Sequence, residues 1–151
     1  MQKEIVSALR EIGNKKCLEK AEVLENESPS IKSLNLRSLE LDSSDIITIA
    51  ACLKQGGNHE KNTINSISFS YNYSLGDSGA TTLAKSLPKS ICEIGLVDCG
   101  IGDVGGFEIL AWMRNSTRLR MICMEQNHFS ERLRFELEKF SRGNPQILVV
   151  Y

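Results

Sequence analysis

Five cysteines and two histidines are the residues of this chain with the greatest capacity for nucleophilic or metal chemistry. The cysteines are Cys17, Cys52, Cys92, Cys99 and Cys123. Their number is odd and no CxxC pair occurs, while His59 and His128 belong to no HExxH or Cys/His cluster. We therefore expect no metal site, no cofactor and no disulfide framework, and we expect a reducing compartment.

The cysteine with the best prospect of reactivity is Cys123, which falls between two apolar positions on the outward side of a predicted strand. Cys92 is a second candidate nucleophile. No base that would activate either thiol can be identified, so we predict a protein that is not an enzyme and has no catalytic residue. A thiol-dependent enzyme or regulatory domain is the alternative.

A glycine-rich stretch, Gly100-Ile-Gly102-Asp-Val-Gly105, has the G-x-G-x-x-G spacing of a dinucleotide-binding loop. That function requires the context of a parallel βαβ unit with a following acidic residue. Gly105 instead occupies the same position in an internal repeat as Gly79. The stretch is interpreted as the turn of a repeat, with no bound nucleotide.

Composition narrows the function classes. The 151 residues include 18 Lys and Arg against 19 Asp and Glu, a formal net charge of −1. This balance argues against nucleic acid or an anionic membrane as the partner, since both select basic surfaces. Neither a run of about 18 apolar residues nor a secretory signal pattern is visible, which predicts a cytoplasmic location.

The elements that must position these residues come from a repeat of apolar triplets with the spacing LxxLxL. The triplets are Ile31-Leu34-Leu36, Ile64-Ile67-Phe69, Ile91-Ile94-Leu96 and Leu119-Ile122-Met124. Each triplet predicts a short strand, followed by a turn and an amphipathic helix. Ser43, Asp77 and Asp103 recur just before the helical patterns, where an N-cap oxygen is expected. The segment 147–151 predicts a fifth strand, 28 residues after the fourth triplet begins.

The repeated pattern LxxLxLxxN/CxLxDxGxxxL resembles a leucine-rich repeat of the ribonuclease-inhibitor type, most clearly over Ile91–Met113. The resemblance covers residues 31–151, although Glu131 and Leu133 replace the Asp and Gly in the fourth unit. It implies an α/β fold: a short solenoid with a parallel sheet on its concave face and helices on its convex face. About four strand–turn–helix units and a final strand would stack, since one unit cannot bury its apolar side alone.

Residues 1–30 do not repeat and predict a helical cap on the first unit. Ile5, Val6, Leu9 and Ile12 form one apolar stripe, and Gly13 predicts the end of that helix. Asn14 is the expected cap of a second helix. Its predicted inner residues are Leu18, Ala21 and Leu24. A helical hairpin that binds another protein is the alternative interpretation of these residues.

The resemblance implies protein–protein interaction through the concave strand face and its adjacent loops. Outward positions there, and the residues just after them, give the candidate protein-binding residues: Asn35, Arg37, Ser68, Ser70, Tyr71, Tyr73, Glu93, Val97, Asp98, Cys123 and Glu125. Aromatic and arginine side chains dominate interface energetics, and the expected anchors are Arg37, Tyr71, Tyr73, Glu93 and Glu125. The sequence does not identify the protein partner.

Two further alternatives concern the partner and the last strand. Short repeat proteins of this type resemble bacterial secreted effectors that act on a host protein. An effector would be delivered into a host cytosol. The resemblance extends equally to actin-regulating and ubiquitin-pathway members of the family. Ile147, Val149 and Tyr151 could pair two chains edge to edge, with Val149 and Tyr151 facing outward. A monomer is the favoured expectation.

Overall fold

Five parallel strands form a single sheet in the computed structural model, which describes residues 1–27, 32–56 and 64–151. The strands follow one another across the sheet in chain order. They are β1 (Ser33–Asn35), β2 (Ser66–Ser68), β3 (Glu93–Gly95), β4 (Met121–Cys123) and β5 (Leu148–Val150). Ile31 and the segment 57–63, which includes His59, lie outside the described residues.

Six helices are described, and together with the sheet they make an α/β fold. Two precede the sheet, and one follows each of the first four strands. They are α1 (Gln2–Ile12), α2 (Lys15–Asn26), α3 (Ser43–Gly56), α4 (Gly76–Ala84), α5 (Asp103–Asn115) and α6 (Glu131–Gly143). A short 3₁₀ turn, Tyr73–Leu75, leads into α4.

The apolar triplets build the core, as predicted for their described members. Leu34, Ile67, Ile94 and Ile122 lie side by side in register on neighbouring strands, and each is at most 2% exposed. They join one apolar cluster with the inner stripes of the helices. The strand residues between them are more exposed, so one side of the sheet packs on the helices while the other does not.

Asn72 ties the turn after β2 to the turn after β1. Its Oδ1 accepts hydrogen bonds from the backbone N–H groups of Leu39 (3.0 Å) and Leu41 (3.1 Å). Its Nδ2 donates to the carbonyl oxygens of Leu36 (2.8 Å) and Phe69 (2.6 Å). One buried amide thus satisfies four backbone groups that the irregular turns would leave without partners.

Asn127 repeats this arrangement two units later. Its Oδ1 accepts from the N–H groups of Cys99 (3.1 Å) and Ile101 (3.0 Å), and its Nδ2 donates to Leu96 (2.7 Å) and Met124 (2.8 Å). The intervening position holds Cys99, as predicted from the Asn/Cys pattern.

Helix capping differs from the prediction at α3. Asp42, and not Ser43, caps this helix: its Oδ1 accepts from the N–H groups of Ser44 (2.8 Å) and Asp45 (3.0 Å). Ser43 is already the first helical residue. The prediction was therefore wrong by one position.

Asp77 and Asp103 each serve the next helix along the chain, which corrects the prediction that they cap their own helices. Asp77 Oδ1 accepts from the N–H groups of Gly102 (2.8 Å) and Gly105 (2.7 Å) at the start of α5. Asp103 Oδ1 accepts from the N–H group of Ser130 (2.9 Å), which directly precedes α6. These carboxylates therefore connect successive strand–turn–helix units.

The two N-terminal helices pack on the start of the first unit. Gly13 ends α1 with φ +75°, and Asn14 Oδ1 accepts from the N–H group of Cys17 (2.8 Å) as the cap of α2. The Nδ2 of Asn14 donates to the carbonyl oxygen of Leu39 (3.0 Å) in the turn after β1. Leu18, predicted to face inward, is 40% exposed; Cys17 is buried in its place.

The last strand is displaced by one residue from the prediction. A tight turn, closed by the Ile147 N–H to Asn144 carbonyl bond (2.9 Å), leads into β5 and leaves 27 residues between paired positions of β4 and β5. Val149 and Tyr151 consequently pack against the core. The outward positions that were predicted for Val149 and Tyr151 are occupied by Leu148 and Val150.

Within the described residues, no helix combines the length and the apolar character that crossing a membrane requires.

Candidate functional site

The candidate site is the side of the sheet that faces away from the helices, which we call the open face. Parallel sheets usually have both faces covered, yet the strand positions on this side remain half-exposed or exposed. The side chains that form it are Ser33, Asn35, Arg37, Ser66, Ser68, Glu93, Val97, Met121, Cys123, Glu125, Leu148 and Val150, together with Gly95. Candidate binding residues from four strands are thereby brought onto one surface.

Ser70 is the predicted binding residue that the structure removes from the surface. It is only 3% exposed. Its Oγ accepts from the Val97 N–H group (3.1 Å) and lies 3.3 Å from the Ser68 hydroxyl. A Cβ on Gly95 would stand 2.9 Å from the Ser70 Oγ, so the absence of a side chain at Gly95 gives this serine its space. Ser70 therefore lies beneath the surface of the open face, where it hydrogen-bonds to residues of two neighbouring chain segments.

Arg37 and Tyr71 form a pair where β1 and β2 leave the sheet. The Arg37 guanidinium carbon lies 4.9 Å from the centre of the Tyr71 ring, within the range of a cation–π contact. Both side chains are exposed. The contact holds two flexible side chains in a defined arrangement before any partner binds, which lowers the ordering cost of binding.

Tyr71 belongs to a row of four left-handed residues that the sequence analysis missed. The residues are Ser38, Tyr71, Asp98 and Gln126, with φ values of 56°, 64°, 50° and 63°. Each occupies the same place after its strand, and few residues without the freedom of glycine adopt this conformation. The N–H groups of the first three still donate to the next strand's chain, at 2.7–3.0 Å. The sequence offers only a weak signal, since Asp alone among these types is much enriched there.

Tyr73 and His128 form a second aromatic pair at the same end of the sheet. Their ring centroids lie 6.1 Å apart with an interplanar angle of 87°, an edge-to-face contact. Tyr73 is 62% exposed. Between them in sequence stands Gly100, where an added Cβ would lie 2.3 Å from the Tyr73 carbonyl oxygen. The sequence analysis did not include His128 in the site because this contact joins residues from non-adjacent units.

Three carboxylates of the predicted site, those of Glu93, Asp98 and Glu125, form no ion pair within the described part of the chain. The Oε2 atom of Glu125 is buried and has no hydrogen-bond donor among the described residues. Such an unmet acceptor is uncommon, since buried polar groups are nearly always paired. The β3–β4 part of the open face is therefore acidic, and its carboxylates have no ion-pair partner among the described residues.

The β5 end of the open face is apolar. Leu148 is 57% exposed and lies beside Met121, while Val150 lies beside Cys123. Ile147, a predicted edge residue, is only 7% exposed.

Four of the five thiols are poorly suited to nucleophilic chemistry at neutral pH. All five cysteines are free. Burial raises the pKa of Cys17, Cys52 and Cys123, and the negative charge of Glu125 raises that of Cys123 further. Burial also raises the pKa of Cys99 to about 11. Because the thiolate is the reactive form, these four side chains are weak nucleophiles.

A metal ion would need a cluster of ligating side chains, and a small molecule would need an enclosing cavity. No group of three His, Cys, Asp or Glu side chains among them could hold a metal ion. A cavity of about 590 Å³ lies between α1 and α2, where Met1, Val6 and Leu24 contribute to its walls. It is remote from the open face in the fold, since α1 packs on α2 and α3.

These features define an α/β protein whose parallel sheet is packed on one side and presents an open, chemically varied surface on the other. Neither a scan against protein-family models nor a search of curated proteins returned a match for this chain.

Proposed function

We propose that this chain is a leucine-rich-repeat protein of the ribonuclease-inhibitor type, a short solenoid whose open face is concave and whose helices lie on the convex side. The support comes from the repeated order of strand, turn and helix and from the parallel strand order. The equivalent roles of Asn72 and Asn127 add to it, since stacked repeats join neighbours through recurring contacts.

Its proposed function is non-catalytic binding of a protein partner through the open face and the loops at its carboxyl end. The observation that carries this proposal is the open face itself, a parallel sheet surface on which no described element packs. A surface of short side chains on rigid strands is suited to a protein epitope, whereas a small-molecule site needs an enclosing cavity.

The anchors of the proposed interface are Arg37, Tyr71 and Tyr73. Arginine and tyrosine are the residue types that contribute most to binding energy. Here Arg37 contacts Tyr71 at 4.9 Å and Tyr73 makes an edge-to-face contact with His128, and each contact favours one arrangement of the side chains.

The free thiols support a cytoplasmic protein, since five unpaired cysteines suit a reducing compartment. The raised pKa values of four of them support a function without thiol catalysis.

The test begins with affinity capture from a cell lysate and continues with the purified partner, whose Kd is measured by calorimetry. The open-face variant carries Arg37→Glu, Tyr71→Ala and Glu93→Lys. A matched control carries the same types of change on exposed residues of α6: Lys139→Glu, Phe135→Ala and Glu131→Lys.

We expect the open-face variant to weaken binding at least tenfold while the α6 variant binds like the wild type, with both circular dichroism spectra unchanged. Equal affinity of the open-face variant and the wild type would place the interface elsewhere and contradict the proposal. A loss confined to the α6 variant would move the interface to the helices.

A further inference from the structure

The open face is divided into chemically different halves. Its β1–β2 half carries Ser and Asn side chains with Arg37 at one corner. Its other half combines apolar side chains with unpaired acids. We call this second half the acid–apolar patch, and it consists of Glu93, Met121, Cys123, Glu125, Leu148 and Val150.

Building on the proposed binding function, we infer that the acid–apolar patch receives an extended protein segment in which two basic side chains flank a central apolar side chain. Each part of this description follows from a different feature of the patch: the spacing of its acids, their lack of partners, and the apolar surface between them.

The spacing follows from the strand register. Glu93 pairs with Met121, so it lies at the amino end of the patch. Glu125 follows Met121 by four residues and lies in the turn beyond the end of β4, so their separation along the strand direction is at most about 13 Å, at 3.3 Å per extended residue. An extended segment presents residues i and i+4 on one side at the same separation. The matching pattern is therefore basic–x–apolar–x–basic.

The charge of the segment follows from the unpaired carboxylates. The structure supplies no ion-pair partner for Glu93 or Glu125 within its described part. A partner's ammonium or guanidinium group provides donors and the opposite charge together. Arg37, which follows β1, and Arg120, which precedes β4, form no ion pair with either acid among the described residues.

The apolar centre follows from the side chains between the two acids. Cys123 stands between Met121 and Glu125 on the outward side, and Val150 lies next to it on β5. Leu148, at 57% exposure, extends this surface. Covering it with an apolar side chain removes hydrocarbon from water, which contributes about 25 cal/mol for each Å² buried. An acidic segment or a nucleic acid would instead meet the negative charges at close range.

The experiment selects random 12-residue peptides displayed on phage against the folded full chain. Parallel selections use the variant Glu93→Lys/Glu125→Lys and the control Glu11→Lys/Glu22→Lys, which makes the same charge change on exposed positions of α1 and α2. The isosteric variant Glu93→Gln/Glu125→Gln is included because it alters the half-buried Glu125 less. Circular dichroism checks each variant's fold.

We expect the wild type and the control to select peptides with two Lys or Arg residues four apart around an apolar residue. A synthetic peptide of the leading sequence should bind the Gln variant about tenfold more weakly than the wild type, which corresponds to about 1.4 kcal/mol. Its affinity should also fall as salt rises from low to high concentration, because exposed charge pairs are screened.

If the selected peptides protected the open face from hydrogen exchange but carried no pair of basic residues, this inference would be wrong and the proposed function would still stand. Peptides that bind equally well to the Gln variant would overturn it too. If hydrogen-exchange protection by every selected peptide fell on the helices, both this inference and the proposed use of the open face would be wrong.

Discussion

The carboxylate of Asp77 accepts a hydrogen bond of 2.7 Å from the backbone N–H group of Gly105, a residue that begins the following helix. A second bond, from Gly102 (2.8 Å), completes the cap of α5. The carboxylate can approach so closely because both N–H donors of this contact belong to glycines: a Cβ on Gly105 would lie 2.9 Å from the Asp77 Oδ1. Helix capping and the joining of neighbouring units are thus one interaction.

Replacing Asp77 by alanine should lower the free energy of unfolding by about 1–2 kcal/mol, the usual effect of losing a helix cap. Two N–H groups at the start of α5 lose their acceptor. Urea unfolding followed by circular dichroism measures the change. The neighbouring exposed Ser78→Ala is the control and should change it by less than about 0.5 kcal/mol. Equal effects of the two substitutions would contradict the capping role.

Replacing Asn72 by alanine should destabilise the protein more strongly, by about 3 kcal/mol, because several buried backbone groups lose their partners at once. Its side chain makes four hydrogen bonds to backbone groups and is 1% exposed. The control is Asn115→Ala, on an exposed side chain that makes one local bond to the carbonyl of Ala111. A loss below about 1 kcal/mol at Asn72 would show that water replaces its amide.

Stability should fall as the pH rises from 9 towards 11. Burial raises the pKa of Cys99 from 9.0 to about 11, so the unfolded chain releases this proton at lower pH than the folded chain does. Between these values the unfolded state binds fewer protons, and the free energy of unfolding therefore declines with pH. Urea titrations at several pH values measure the slope. The variant Cys99→Ala should show a smaller slope; an identical slope would assign the effect to other groups.

Cys123 should react slowly with iodoacetamide at neutral pH and faster at alkaline pH. Burial raises its pKa, and the charge of Glu125 adds to this effect. The variant Glu125→Gln should therefore speed alkylation of Cys123, measured by mass spectrometry of digested samples over time. The rate at Cys52, whose pKa is also raised, serves as the internal reference. Faster labelling of both cysteines would indicate loosened structure in place of an electrostatic effect.

The chain should be a monomer of 16.8 kDa in light scattering. The N–H group of Leu148 bonds to β4 through the Arg120 carbonyl (2.8 Å), so alternation directs the N–H group of Val149 away from β4. Val149→Pro removes that outward donor but no N–H bond to β4; it also removes part of the packing of Val149 against the core, and it should leave the mass unchanged. A wild-type mass of twice this value that returns to the monomer in the Pro variant would instead demonstrate pairing through β5.

Sequence periodicity predicted the first four strands and their buried residues, because inward positions recur at a fixed spacing in these units; the predicted inward and outward positions of β5 were wrong by one residue. Leu34, Ile67, Ile94 and Ile122 meet this expectation. Local spacing could not predict features that depend on a neighbouring unit. The carboxylate of Asp77 has the expected sequence position for a cap, yet the donors it satisfies lie 25 and 28 residues away.

The sequence predicted which residues lie on or beside the open face more accurately than it predicted how exposed each side chain is. Arg37, Tyr71, Tyr73 and Glu93 lie on or beside the open face, as expected. Ser70 is buried because Gly95 on the adjoining strand leaves room for its hydroxyl group. A missing side chain on another strand has no signature in the local sequence of Ser70.

The shared caps have a consequence for cooperativity. If the unit formed by β2, its turn and α4 opened alone, the first turn of α5 would lose its acceptor, Asp77, and the turn after β1 would lose its hydrogen bonds to Asn72. The free energy of opening one unit therefore includes part of the stability of its neighbours. The units should unfold together in a single transition, and a chain cut between α4 and β3 should yield two fragments that each lack the contacts needed to fold.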